Sequence, residues 1–221
     1  MQVIDIETPH GVARAHVHPV AAPRAALVLG HGAGGGIAAP DLVTAAAVAN
    51  ELAISVALVE QPYRVAGRRS PPPAAQLDAA WIAVVAHLSG GVFQGLPIVV
   101  GGRSSGARVA CRTSPATGAV GVLCLAFPLR PPRRANGTEA PSRQPELRAV
   151  TVPMLIVQGV NDPFGMPRGT AKRRVVRVDG DHSLRRDQAA IAKTIRGWLL
   201  AEGKGIEHGA FRHIAKITRT L

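Results

Sequence analysis

Pro97-Ile-Val-Val-Gly-Gly-Arg-Ser-Ser-Gly106 is the stretch on which the reading of this chain turns. Ile98 to Val100 is a short, β-branched apolar run, the signature of a buried strand. A tight glycine turn follows, and then a helical pattern that runs to about Cys111. Gly102-Arg-Ser-Ser-Gly106 therefore places the form G-x-S-x-G on a strand-to-helix turn. So sharp a turn forces its central serine into a strained backbone geometry. Side chains two residues to either side would collide with it, and glycines at 102 and 106 leave the space. The hydroxyl of Ser104 then projects freely beyond the end of the strand.

Outward from this turn, apolar runs alternate with helical patterns. Val3 to Ile6 and Val12 to Val17 read as an opening hairpin; Ala26 to Leu29, Ser55 to Val59, Val120 to Ala126, Val152 to Val157 and Arg174 to Val178 read as further strands. Helices are expected over Asp41 to Leu52, Ala74 to Leu88 and Arg185 to Leu200, and loops over Gln61 to Pro73 and Pro128 to Pro145. Continuously apolar strands separated by helices predict an α/β fold, a mostly parallel sheet with helices on both faces. Right-handed crossovers gather the loops after the strands at one edge, where ligands bind in such sheets. One domain is expected over 1–201, followed by a basic, weakly patterned tail over 202–221. No insertion between Val120 and Val152 is long enough for a cap domain.

A serine is a weak nucleophile unless a base takes its proton, and the base needs an orienting acid. Gly159-Val-Asn-Asp162 and Gly180-Asp-His182 each follow a predicted strand, so Asp162 and His182 fall on the same edge as Ser104, in the order Ser, Asp, His. Asp179 and Asp181 compete with Asp162, but they adjoin His182, and an orienting carboxylate normally arrives from a separate loop. An oxyanion hole would use the N–H of Ser105 and a second from His31-Gly-Ala-Gly-Gly-Gly36, with Ala33 preferred and Gly34 next. His31, Tyr63 and Arg103 are expected to line the substrate. This constellation needs no metal and no organic cofactor.

The same glycine loop has a rival reading. Gly30-His-Gly-Ala-Gly-Gly35 also satisfies G-x-G-x-x-G after a strand, with Glu60 at the end of the next one, the outline of a dinucleotide fingerprint. That reading leaves the Ser, Asp and His placements unexplained, and the following helix begins only near Pro40.

The net charge is +12, carried by 22 Arg and 4 Lys, against 3% aromatic residues. The arginines are spread along the chain apart from local groups at Arg130, Arg133 and Arg134 and at Arg173, Arg174 and Arg177. With so few rings to stack bases on, no specific nucleic-acid partner is expected. Arg64, Arg68 and Arg69 read as solvated loop residues. Cys111 and Cys124 lie in apolar runs and read as buried thiols. The N-terminus lacks a basic start and an apolar core, and no apolar run approaches the ~18 residues of a spanning helix. The expectation is a soluble cytoplasmic protein without membrane partners; nothing in the sequence speaks to oligomeric state.

Leu29-Gly-His-Gly-Ala-Gly-Gly-Gly36, Gly101-Gly-Arg-Ser-Ser-Gly-Ala-Arg108, Gly159-Val-Asn-Asp162 and Gly180-Asp-His-Ser183 resemble the dienelactone-hydrolase-like branch of the α/β-hydrolases. More narrowly, they resemble the group that includes testis-expressed hydrolase-like proteins and a subunit of a histone acetyltransferase complex. The resemblance spans about Ala26 to Leu200. It implies an α/β-hydrolase fold with Ser104 as nucleophile, Asp162 as acid and His182 as base, acting on an ester or thioester of a small molecule. Dienelactone hydrolases proper carry Cys where this chain has Ser104, so dienelactones are not implied as substrates. The main rival reading is a non-catalytic interaction protein on the same α/β-hydrolase scaffold.

If the positive charge serves no nucleic-acid role, duplex DNA should bind weakly and lose affinity steeply with salt, by roughly 0.9 in log K per log salt for each phosphate contact. Anisotropy titrations across a salt series check this. A sequence-selective complex near physiological salt, lost on removing residues 202–221, would make nucleic acid a true partner.

Overall fold

The computed structural model describes residues 1–131, 138 and 140–201. The tail over 202–221, and Arg133 and Arg134, lie outside the described residues.

Eight strands form one sheet in the order β1-β2-β4-β3-β5-β6-β7-β8. They are β1 (Gln2–Thr8), β2 (Gly11–His18), β3 (Ala25–Gly30), β4 (Ile54–Glu60), β5 (Ile98–Arg103), β6 (Gly121–Leu125), β7 (Met154–Gly159) and β8 (Arg173–Val178). The opening hairpin pairs antiparallel, and β2 joins β4 antiparallel; β4-β3-β5-β6-β7-β8 are all parallel. The helices are α1 (Pro40–Glu51), α2 (Pro62–Val65), α3 (Ala74–Gly90), α4 (Ser105–Thr113), α5 (Gln144–Arg148) and α6, residues 188–201. Among the described residues only loop and α5 separate β6 from β7, so no cap domain stands over the sheet.

Strand alternation divides the core into two layers. Ala26, Val28, Val100, Val122, Cys124 and Ile156 point to the face covered by α3 and α4, against Leu77, Trp81, Val85, Leu88 and Ala110. Leu27, Leu29, Val99, Leu123, Leu125 and Leu155 point to the other, against Leu42, Ala45 and Ala49 of α1 and Ile191, Ile195 and Trp198 of α6. With so few aromatic rings, small aliphatic side chains do most of the filling. β5 sits in the middle of the parallel set, so the turn that follows it emerges at the centre of the sheet's carboxyl edge.

Three local features differ from the sequence expectation. The loop over 61–73 contains the single turn α2, opened by Pro62 at its first position, where proline's fixed φ suits a helix start. The loop over 128–145 leads into the short α5. The last helix starts at 188 rather than 185: Leu184 is buried, Leu184 and Asp187 take positive φ, and the Asp187 carboxylate accepts the Ala190 N–H as a cap. β8 is also less uniformly apolar than its neighbours, with Arg174 and Arg177 exposed.

Two glycines give opposite expectations. A Cβ at Gly101 would collide with the Leu123 carbonyl on the adjacent strand, so Gly101→Ala should cost roughly 1–3 kcal/mol. Nothing lies within 4 Å of a Cβ built at Gly197, inside α6, so Gly197→Ala should stabilise by up to about 1 kcal/mol. Urea unfolding of the two variants measures both signs.

Candidate functional site

The site is assembled at the end of β5. Ser104 has φ 52° and ψ −105°, a conformation that an ordinary residue holds only when its surroundings impose it. The surroundings do so: the Ser104 N–H donates to the Leu125 carbonyl at 2.9 Å, and α4 begins with the next residue. Cβ atoms at Gly102 or Gly106 would run into the Gly30 carbonyl, so the elbow and the end of β3 pack main chain against main chain.

Two other loops reach Ser104. His182, after β8, places Nε2 2.9 Å from Ser104 Oγ and Nδ1 2.8 Å from Asp162 Oδ2. A carboxylate can only accept, so Nδ1 carries the proton and Nε2 is left to accept from the hydroxyl. Asp162, after β7, is buried and tied on both oxygens. Oδ1 accepts the Phe164 N–H at 2.9 Å, and Oδ2 also accepts from Gln158 Nε2 at 2.7 Å. Gln158 Nε2 also lies within hydrogen-bond distance of the Phe127 and Gly165 carbonyls. The Phe164 ring lies against the imidazole, with centroids 4.4 Å apart.

The glycine loop after β3 crosses above the elbow; a Cβ on Gly32 would stand 3.6 Å from that of Ser104. Its peptides are pinned by their carbonyls. His31 Nε2 accepts the Gln61 N–H at 3.1 Å, which leaves Nδ1–H to donate to the Gly32 carbonyl at 2.8 Å. Burial pushes the His31 pKa down, which keeps this neutral form. The Tyr63 hydroxyl donates to the Ala33 carbonyl at 2.9 Å. Across a trans peptide the N–H points opposite to the carbonyl, so fixing the carbonyls of Gly32 and Ala33 also fixes the N–H groups of Ala33 and Gly34. Ser105 is the first residue of α4, where N–H groups lack intrahelical partners.

Residues 23–196 match the alpha/beta hydrolase domain family. The chain belongs to that family. No curated protein matches the sequence significantly. Among solved structures, the chain is similar to an a/b serine hydrolase without lid from Xanthomonas campestris, at 18% identity and TM-score 0.72, over 90% of this chain and 94% of that one. It is similar to Est1E from Butyrivibrio proteoclasticus, whose structure is also known with ferulic acid bound: 12% identity, TM-score 0.73, 90% and 98% covered. A dienelactone hydrolase from Anabaena variabilis gives 15% identity and TM-score 0.70, over 90% and 96%. At these identities the likeness is one of fold.

Within this hydrolase fold, Ser104, Asp162 and His182 come together as their order along the chain suggests. Ala33, Gly34 and Ser105 lie on the loop and helix start that border Ser104. The three residues expected to line the substrate already have partners. His31 and Tyr63 are buried and hold the glycine loop. The Arg103 side chain, 17% exposed, sits 3.1 Å through Nε from Asp41 Oδ2, and its Nη2 donates to the His182 carbonyl at 3.0 Å. Asp41, on the first turn of α1, is fully buried, and that burial pushes its pKa up to about 6 against the pull of Arg103. Sequence reasoning missed Asp41, Gln158 and Phe164. Gln158 and Phe164 carry no chemistry of their own and could be found only by asking what surrounds Asp162.

The dinucleotide fingerprint lacks its geometry: α1 starts at Pro40, beyond the glycines, and Glu60 pairs with His16 at 2.9 Å. Two depressions open at this edge. One of about 470 Å³ is bordered by Gln61, Tyr63, Arg68 and Leu77. The other, about 340 Å³, runs from Gly35 to Arg103, Ser183 and Arg185 and adjoins both the elbow and the His182 loop. Among the described residues no three of His, Cys, Asp and Glu gather as metal ligands, and no helix is long and apolar enough to cross a membrane. Cys111 and Cys124 are buried thiols with sulfurs 3.5 Å apart.

Gln158→Leu removes a donor shared by Asp162 and two main-chain carbonyls, and should lower stability by roughly 1–3 kcal/mol. Urea unfolding of the variant measures the loss; an unchanged midpoint and slope would mean that these bonds do not hold the loop.

Proposed function

We propose that this protein is a serine hydrolase of the carboxylesterase type, cleaving an ester or thioester of a small molecule through an acyl-enzyme. The single observation that carries the reading is the unbroken hydrogen-bonded chain from Ser104 through His182 to Asp162, at 2.9 and 2.8 Å. Such a chain activates an otherwise poor nucleophile, and little else requires it at the end of a central strand.

His182 takes the Ser104 proton as Oγ attacks the carbonyl carbon. Asp162 holds the imidazole in the required tautomer and stabilises its cation. The negative charge on the carbonyl oxygen is met by the N–H groups of Ser105 and Ala33, with Gly34 adjacent to the second. Donors of this kind are worth roughly 3–4 kcal/mol each in a well-studied protease. As the tetrahedral intermediate collapses, the imidazolium returns its proton to the departing alcohol or thiol. Water, deprotonated by the same imidazole, then attacks the acyl carbon; as this second intermediate collapses the imidazolium returns the proton to Ser104 Oγ, and the acid leaves. The uncapped edge and the cleft of about 340 Å³ beside the elbow suit a small substrate.

The narrower likeness to testis-expressed hydrolase-like proteins keeps the scaffold reading as the outcome to test against. A fluorophosphonate probe should label the wild-type chain once, at Ser104, and should leave Ser104→Ala unlabelled, as read by intact mass and peptide mapping. His182→Ala should label slower by several orders of magnitude, and wild-type labelling should slow on acidification, since only a neutral imidazole accepts the proton. Equal labelling of wild type and Ser104→Ala would sink the triad; labelling of neither would favour a non-catalytic scaffold.

A further inference from the structure

Arg103 is the residue immediately before the proposed nucleophile, and its side chain joins three separate segments. Nε lies 3.1 Å from a carboxylate oxygen of Asp41, at the start of α1. Nη2 donates to the main-chain carbonyl of His182, after β8, at 3.0 Å. Nη1 lies under the glycine loop, 3.1 Å from where a Gly32 Cβ would stand.

Asp41 and Arg103 are not arranged as a pair made for stability. The Asp41 side chain is wholly buried, yet neither its Oδ2 nor Arg103 Nε completes a well-aligned hydrogen bond; the two charges are near one another but out of line. A stabilising arginine–carboxylate contact is a bidentate fork, and an imperfect buried pair tends to lower stability. What the arrangement does supply is one guanidinium that touches the start of α1 and the loop after β8 at once. Arg112 and Arg108, on the outer side of α4, make forked pairs with Asp78 and Glu146, so the chain forms such contacts where stability alone is at stake.

The geometry points to Arg103 as a positioning residue for the hydrolytic site, clamped by Asp41 so that its Nη2 fixes the main chain of His182. This inference rests on the triad reading. The imidazole is bonded by Asp162 and packed by the tilted Phe164 ring, but its nitrogens exchange partners during the reaction. Once Nε2 has taken the serine proton, Ser104 no longer donates to it, and the ring must turn its proton toward the leaving group without drifting. A tether on the residue's own carbonyl leaves the ring free to make that small movement and keeps its origin fixed. Because Arg103 and Ser104 are consecutive, the tether refers the base directly to the nucleophile. Asp41 supplies the charge that lets a guanidinium sit there with little exposure, and its place at the start of α1 anchors the arm to a full helix rather than to a loop.

The test compares wild type with Arg103→Lys, Arg103→Met and Asp41→Asn, using the rate of fluorophosphonate labelling at Ser104, kcat and KM on p-nitrophenyl acetate, and urea unfolding. Lysine keeps the charge opposite Asp41 but has no fork to reach the His182 carbonyl at the same time. Arg103→Lys should therefore fold, yet label and turn over roughly 10- to 100-fold more slowly with KM changed less than about 2-fold, the scale expected when a reacting group is misplaced by about an ångström. Arg103→Met should be at least as slow, and Asp41→Asn should fall between Arg103→Lys and wild type. If Arg103→Met fails to fold, the lysine variant decides. Wild-type rates in Arg103→Lys would overturn the tether and leave the triad standing, since Arg103 would then be needed only as a charge. A loss confined to KM would likewise overturn it, making Arg103 a substrate contact. No labelling of the wild-type protein would remove the triad and the tether together.

Discussion

The main-chain carbonyl of Gly30 is where two parts of the molecule meet with no side chain between them. Gly102 and Gly106 flank the elbow and approach that carbonyl so closely that a methyl group at either would overlap it. Two consequences follow from the one contact. The turn after β5 tightens until Ser104 is driven to φ 52°, with its hydroxyl clear of the sheet. The glycine loop after β3 is also drawn across the elbow, where Gly32 lies beside Ser104. Loosening this contact would separate Ser104 from the glycine loop even if every titratable group stayed where it is.

Around that contact the chain spends its polar groups on fixing backbone. His31 and Tyr63 bind carbonyls of the glycine loop, Gln158 binds two carbonyls as well as Asp162, and Arg103 binds the carbonyl of His182. The arginine content also looks different once these contacts are counted. Arg103, Arg108, Arg112 and Arg173 are engaged within the fold, Arg173 being buried and bonded to the Leu147 carbonyl at 2.6 Å. The partners of Arg103, Arg108 and Arg112 are Asp41, Glu146 and Asp78, acids already subtracted in the formal +12, so that excess falls on the other basic residues.

Most of the sheet was legible because its strands are nearly unbroken runs of Val, Ile, Leu and Ala, a pattern that only a two-sided burial explains. The order Ser104, Asp162, His182 was legible because Ser104 and Asp162 each follow such a run and His182 follows the mixed strand β8, and parallel strands send those ends to one edge. α2 and α5 were not, being single turns too short to show a period. α6 starts at 188 rather than 185 because Asp187 takes positive φ and caps the helix through the Ala190 N–H, a turn that no spacing of apolar residues reveals. The Asp41–Arg103 contact was not legible because nothing local ties the two: they are sixty-two positions apart in sequence and meet only through the packing of α1 beside β5.

Trp81 and Trp198 are the two tryptophans of the chain. Both are buried, and they lie on opposite faces of the sheet: Trp81 against Gly30 beneath the elbow, Trp198 against Gly121 under α6. The intrinsic fluorescence of the protein is thus the sum of one indole emission from each layer. The first emitter reports the ground on which Ser104 stands, and the second reports the docking of the last helix. A red shift from Trp198 that precedes any change in Trp81 would show the final helix lifting away while the elbow is still built.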